Sequence, residues 1–144
     1  MKLAIVGASA RAAAHSALRA GFQVVAADLF ADRDLRAACC ATRIADYPDA
    51  LPGWLASVDA DAWMYTGALE NRPDLIRQMA AIKPLWGCDA SAVERVRDVA
   101  SLHMLIKEAG IAYPETCQAP DGLPQDGSWL CKLPHSSSES GVWL

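Results

Sequence analysis

The first ninety residues alternate short unbroken apolar runs with stretches in which apolar positions recur every three or four residues. Leu3-Ala4-Ile5-Val6 is such a run, closed by Gly7, and its lack of alternation predicts a parallel strand covered on both faces. An Ala-rich helix follows from about Ala10 to Ala20, with Ser9 placed to cap it and Gly21 where a left-handed terminus is wanted. Phe22 to Ala27, closing at Asp28, reads as a second buried strand, so the opening is a βαβ unit. Asp32 to Ala38 predicts a short helix, Ala41 to Ala45 a third strand, and 49–57 a helix with Pro52 in its first turn. Leu51, Trp54 and Leu55 fall on one side of that helix. Ala62 to Thr66 predicts a fourth strand, Pro73 to Ile82 a helix and Pro84 to Gly87 a brief fifth strand. Strands alternating with helices at these intervals define an α/β class: a three-layer, Rossmann-like, mostly parallel sheet with right-handed crossovers.

After Gly87 the pattern changes. Val93, Val96, Val99, Leu102, Leu105 and Ile106 are spaced for one apolar stripe on a helix over 91–109, ended by Gly110. Tyr113 to Thr116 is then extended, and 119–128 is a Pro/Gly/Asp-rich loop. Trp129 to Leu133 predicts a strand, Ser136 to Gly141 a turn, and Val142-Trp143-Leu144 the opening of a second strand. Three segments result: a Rossmann-like domain over 1–88, a helical connector over 89–118, and a short β-hairpin tail over 119–144.

Composition narrows the class. A chain of 144 residues, 53% of them hydrophobic, buries a core without disulfides or a structural metal and leaves no room for a second complete domain. The net charge of −4 and the scattered lysines and arginines supply no basic stripe for a phosphate backbone, so nucleic acid is excluded as a partner. Apolar runs far short of a bilayer span and an N-terminus that enters a strand directly predict a cytoplasmic protein with no membrane partner. Cys39, Cys40, Cys88, Cys117 and Cys131 are odd in number and lack a C-x-x-C pair, which fits reduced thiols rather than a disulfide framework or zinc site. Arg36 and Arg43 near Cys39-Cys40 are the one feature that could lower a thiol pKa.

Candidate chemistry gathers at the carboxyl ends of the strands. Gly7 followed by a helix, with Asp28 twenty-one residues on, has the spacing of a dinucleotide site in which the acid holds a ribose hydroxyl. The stretch Gly7 to Ala12 has one glycine where that fingerprint has three, and Ser9 and Arg11 would offer hydroxyl and guanidinium groups to an anion instead. The alternative is local: Gly7 makes the turn and Asp28 caps or pairs nearby. Where the first and fourth strands diverge, Gly7, Ala8 and Ser9 should face Thr66, Gly67, Glu70 and Asn71 across the fold's ligand crevice. Glu70 and Asn71 could equally cap the next helix. His15 and His103 lack partners at metal spacing, no serine has a nucleophile-elbow context, and the five tryptophans read as core or interface anchors. No catalytic residue and no metal site is expected.

Taken together, Gly7-x-Ser9-x-Arg11, Asp28 to Asp32, Tyr65 to Asn71, Arg97-Asp98 and Ala109-Gly110-Ile111-x-x-Pro114-Glu115-Thr116 resemble the front end of ATP-grasp carboxylate–amine ligases, in particular a branch related to the biotin-carboxylase group. The resemblance runs the length of the chain and implies a pre-ATP-grasp domain followed by the first strands of an ATP-grasp sheet. It assigns Lys132 to an ATP phosphate and implies ATP with magnesium in the parent family. Pro134 to Gly141 departs from the family's glycine-rich loop, having one glycine and several serines. The family's magnesium-binding residues would lie beyond Leu144, so the resemblance implies a truncated, substrate-side domain that is not catalytic alone and binds a small anionic substrate. Two other readings stand beside it: a small NAD(P)-binding Rossmann protein, and a dimerisation or scaffold module, a homodimer formed through the tryptophan-bearing tail.

Overall fold

The structure, a computed structural model, describes residues 1–117, 122–124, 126–133 and 142–143. The chain divides into two compact units, Met1–Val93 and Glu94–Leu144.

In the first unit four parallel strands, β1 (Lys2–Gly7), β2 (Gln23–Asp28), β3 (Cys40–Arg43) and β4 (Ala62–Tyr65), form one sheet in the order β3-β2-β1-β4. The register pairs Val6 with Tyr65, Gly7 with Asp28 and Asp28 with Arg43, so all four strands end along one edge. Helices α1 (Arg11–Arg19), α2 (Arg33–Ala38), α3 (Leu51–Ser57) and α4 (Pro73–Ala80) connect them. Successive strand residues point to opposite faces, and the two cores separate accordingly. Leu3, Ile5, Val24 and Ala26 meet Ala10, Ala14 and Ala17 beside α1 and Leu35 of α2. Ala4, Val6, Val25 and Ala27 meet Leu51 and Leu55 of α3 and Leu75, Ile76 and Met79 of α4. Small side chains along α1 let that helix lie close to the sheet, as the alanine pattern implies. Trp63 is fully buried, and its indole N–H donates to the Lys83 carbonyl at 3.1 Å.

Two elements differ from the sequence reading. The fifth strand is reduced to an isolated bridge between Trp63 and Leu85, held by the Trp63 N–H to the Pro84 carbonyl at 2.9 Å and the Trp86 N–H to the Trp63 carbonyl at 2.8 Å. Pro84 has no N–H to extend the ladder, and Gly87 follows at once. The expected helix over 91–109 is two helices, α5 (Ala90–Arg97) and α6 (Val99–Glu108). Asp98 breaks it by leaving the helical region, with ψ at 106°, and by accepting the Ser101 N–H at 3.0 Å, the local bond that makes Asp a helix starter rather than an interior residue. The single apolar stripe is therefore lost: Val93 is buried, whereas Val96, Val99 and Leu105 are exposed. Asp98→Ala is expected to loosen the first turn of α6, read as faster amide exchange at Ala100 to Leu102 with exchange in the sheet unchanged.

In the second unit, β5 (Cys131–Lys132) pairs antiparallel with β6 (Val142–Trp143). The intervening turn predicted over 136–141 and the end of the second strand at Leu144 lie outside the described residues. Among the described residues no helix is long and apolar enough to cross a membrane.

Candidate functional site

The sheet order reverses at β1, which has β2 on one side and β4 on the other. The chain leaves β1 toward α1 on one face and β4 toward α4 on the opposite face. In such sheets this divergence, at the carboxyl edge, marks the usual ligand position. Sequence reasoning placed the crevice between the Gly7 and Thr66 loops, and these loops do meet. The Thr66 N–H donates to the Val6 carbonyl at 2.9 Å, and the Thr66 hydroxyl donates to the Ser9 carbonyl at 3.0 Å. A Cβ on residue 7 would stand 1.8 Å from Thr66 Oγ1. Gly7 thus admits the β4 loop as well as ending a strand. Gly67 is exposed, and nothing crowds its Cβ position.

Asp28 is fully buried and accepts backbone N–H groups from Ala10, Phe30 and Ala31, each at 2.7 Å. Ala10 is the N-cap residue of α1, and the N-cap side chain makes no cap bond. The expected Ser9 cap is therefore absent: Asp28 reaches across from β2 and presents its charge to the helix start, where a carboxylate is favourable. The same carboxylate ties down the β2–α2 turn, in which Ala31 adopts a left-handed φ of 48°. Of the two readings of Asp28, the local one describes these bonds.

Two cations of the edge are also engaged. Arg11, expected to meet an anion, lies 3.3 Å from Asp32 and 3.5 Å from Asp34. Arg72, which sequence reasoning did not single out, contacts Asp49 at 2.9 Å and grips Asp74 through two nitrogens at 3.0 and 3.1 Å. Hydrogen bonds to Asp74 and then Asp49 hold its pKa above the ordinary value, and in return Arg72 holds the Asp74 carboxyl below the usual range. These pairs are solvent-exposed, so their worth lies in fixing the loop before α4 more than in stability.

Glu70 and Asn71 do not cap α4: Arg72 is its N-cap residue, without a side-chain cap bond. Instead Asn71 Oδ1 is shielded from solvent with no hydrogen-bond partner, and the Tyr47 hydroxyl oxygen is in the same condition. Tyr47, in the turn after β3, is a crevice residue that sequence reasoning missed. Its phenol is pushed up to about 12, first by burial and then by the charge of Glu70; the neighbouring Ala8 amide acts in the opposite sense, and Asp28 adds to the rise. An acid whose folded pKa is raised stabilises the fold fully below its unfolded value near 10 and loses that contribution as pH climbs toward 12. The alkaline loss of stability between about pH 10 and 12 should therefore be smaller in Tyr47→Phe, as read from denaturation midpoints across that range.

Elsewhere the candidates are structural. Burial, then Cys40, pushes the Cys39 thiol up, opposite to what Arg36 and Arg43 suggested, and Arg43 donates to the Leu29 carbonyl at 3.3 Å. The His103 ring lies 5.5 Å from that of Tyr113. In the second unit Lys132 lines a groove of about 510 Å³ with Glu115, Thr116 and Trp129 among its walls. That groove offers one ammonium and one carboxylate among the described residues, too few groups to hold a nucleoside triphosphate with magnesium. No group of three metal-ligating side chains occurs among the described residues.

No protein-family model matches the chain, and no curated protein matches its sequence. Its fold matches solved structures. N5-carboxyaminoimidazole synthetase from Staphylococcus aureus is 18% identical, with a TM-score of 0.58 over 76% of this chain and 30% of that one. The biotin carboxylase subunit of a pyruvate carboxylase is 20% identical, with a TM-score of 0.59 over 74% of this chain and 27% of that one. N5-carboxyaminoimidazole ribonucleotide synthetase from Thermotoga maritima is 17% identical, with a TM-score of 0.55 over 79% and 32%. All three are ATP-grasp enzymes. The chain therefore has an α/β Rossmann-like fold found within ATP-grasp enzymes, as its motifs imply, and at these identities the likeness is one of fold. It spans about a third or less of the length of the enzymes it matches.

Proposed function

We propose that this chain forms the substrate-side, pre-ATP-grasp part of an ATP-grasp carboxylate–amine ligase, and that it binds a small polar ligand at the carboxyl edge of its sheet. The observation that carries this reading is the joint presence of that fold and of two polar atoms, on Tyr47 and Asn71 near the carboxyl edge of the sheet, that are shielded from solvent without a hydrogen-bond partner. Ligation is proposed for the larger enzyme. The contribution of these residues is to bind and orient one reactant, which is where positioning lowers a bimolecular barrier. Lys132 would approach an ATP phosphate only in company with groups supplied from elsewhere.

The NAD(P) alternative is disfavoured by Asp28, whose three bonds to backbone amides leave it buried rather than open to a ribose. A thermal-unfolding panel separates the readings, because a ligand at 100 times its Kd adds about 2.7 kcal/mol. Small amines or carboxylates of metabolite size should raise the midpoint of the first unit, while NAD and NADP should leave it unchanged. A rise with a dinucleotide alone would reverse the assignment.

A further inference from the structure

The five cysteines differ in what surrounds them. Cys39 is extended and packs against the core beside α1, while Cys40 opens β3 as an exposed residue. Neighbours on an extended chain point to opposite faces, so these adjacent thiols diverge. Cys88 is exposed in the first unit. Cys117 and Cys131 both belong to the second unit and line one groove, the space of about 510 Å³ that also holds Lys132. Thirteen residues separate them in sequence. Within that stretch Gly122 and Gly127 take left-handed φ values of 86° and 78°, the conformation that lets a chain reverse tightly. The segment 114–117 and strand β5 are thereby walls of the same space.

We infer that Cys117 and Cys131 form a reversible redox pair, whose disulfide ties the 114–117 segment to β5 across this groove. Both are free thiols, Cys117 exposed and Cys131 half-buried, and this difference assigns their roles. The accessible thiol is the one a soluble disulfide meets first, and a sheltered neighbour resolves the adduct. With a glutathione-type disulfide as oxidant, the Cys117 thiolate attacks one sulfur, forms a mixed disulfide and expels one glutathione thiolate. The Cys131 thiolate then attacks the Cys117 sulfur, closes the protein disulfide and expels the second. The protein gives up two electrons and two protons, and the oxidant leaves as two thiols. The intervening loop is short, so the second cysteine reaches the first faster than it meets one on another chain. The cross-link fixes two walls of the groove around Lys132, and access to that ammonium follows the thiol–disulfide balance of the surroundings. The pair stands independently of any ligand at the sheet edge.

The test uses the intact, fully reduced chain, equilibrated with glutathione disulfide and then treated with a maleimide to block the remaining thiols. Cleavage before Asp121 and Asp126 puts the two cysteines on different peptides, which mass spectrometry identifies. The two peptides should stay joined until a reductant is added, in a chain that runs as a monomer, while Cys40 and Cys88 carry glutathione or maleimide. Cys131→Ser should trap glutathione on Cys117, and Cys117→Ser should slow the reaction of Cys131 roughly tenfold or more. Glutathione on both Cys117 and Cys131 with no joined peptides would overturn the pair. So would a bond from either to Cys39, Cys40 or Cys88, joining only between two chains, or two thiols that stay reduced. Each of these outcomes is read on the unaltered chain, so the decision does not depend on how the variants fold.

Discussion

Asp28→Ala is expected to destabilise the Met1–Val93 unit by about 3–5 kcal/mol, enough to lower its midpoint by well over about 10 °C. The substitution removes an acceptor from three backbone N–H groups at once, those of Ala10, Phe30 and Ala31. Two of these belong to buried residues, Ala10 and Ala31, where no water replaces the lost bond. Each unpaired buried donor costs about 1–3 kcal/mol, and α1 also loses the charge that complements its start. Against a total stability of about 5–15 kcal/mol for a domain, this is among the largest effects any single polar residue in the chain can have. Were Asp28 chiefly a ligand contact, its removal would leave stability within about 1 kcal/mol. Chemical denaturation of the two proteins distinguishes these outcomes.

Gly7→Ala should cost about 3 kcal/mol, for a reason that lies on another strand. The new methyl would collide with Thr66 Oγ1, which stands 1.8 Å from the Cβ position, and Thr66 is fixed by bonds to the Val6 and Ser9 carbonyls. Overpacking of this kind is costly when neither partner can withdraw. Thr66→Ala removes the colliding atom and leaves its own Cβ at a tolerable 3.1 Å, so Gly7→Ala should cost less than about 1.5 kcal/mol in that background. A double-mutant cycle showing coupling of about 1.5 kcal/mol or more is the expected result. Additivity would mean that Gly7 serves its own turn and not the seam between the two loops.

These two residues also show what could be read in the sequence. Gly7 and Asp28 announce themselves by type and spacing, and the continuous apolar runs of Leu3–Val6 and Val24–Ala27 locate the central strands because parallel strands are buried on both faces. Their partners carry no such mark. Asp28 is bonded by the amides of Ala10 and Ala31, whose side chains are methyl groups without polar chemistry. Thr66 lies 57 residues from the Ser9 carbonyl it meets. Arg72 looked unremarkable because Asp49, one of its carboxylates, comes from a different loop. Tyr47 escaped notice for the same reason: its phenol is raised by burial and then by Glu70, and only the folded chain supplies either. Asp98 is a residue type that favours a helix start, but the apolar spacing across it masked the signal.

The most direct test of the account is a titration with NAD followed at the amide resonances of Ala10, Phe30 and Ala31. If Asp28 is the internal anion that closes this edge of the sheet, the three signals stay in place up to millimolar NAD, and the three amides exchange slowly. Saturable movement of the same signals at micromolar NAD would contradict the account, for it would mean that the carboxylate serves a ribose and that the crevice belongs to a dinucleotide.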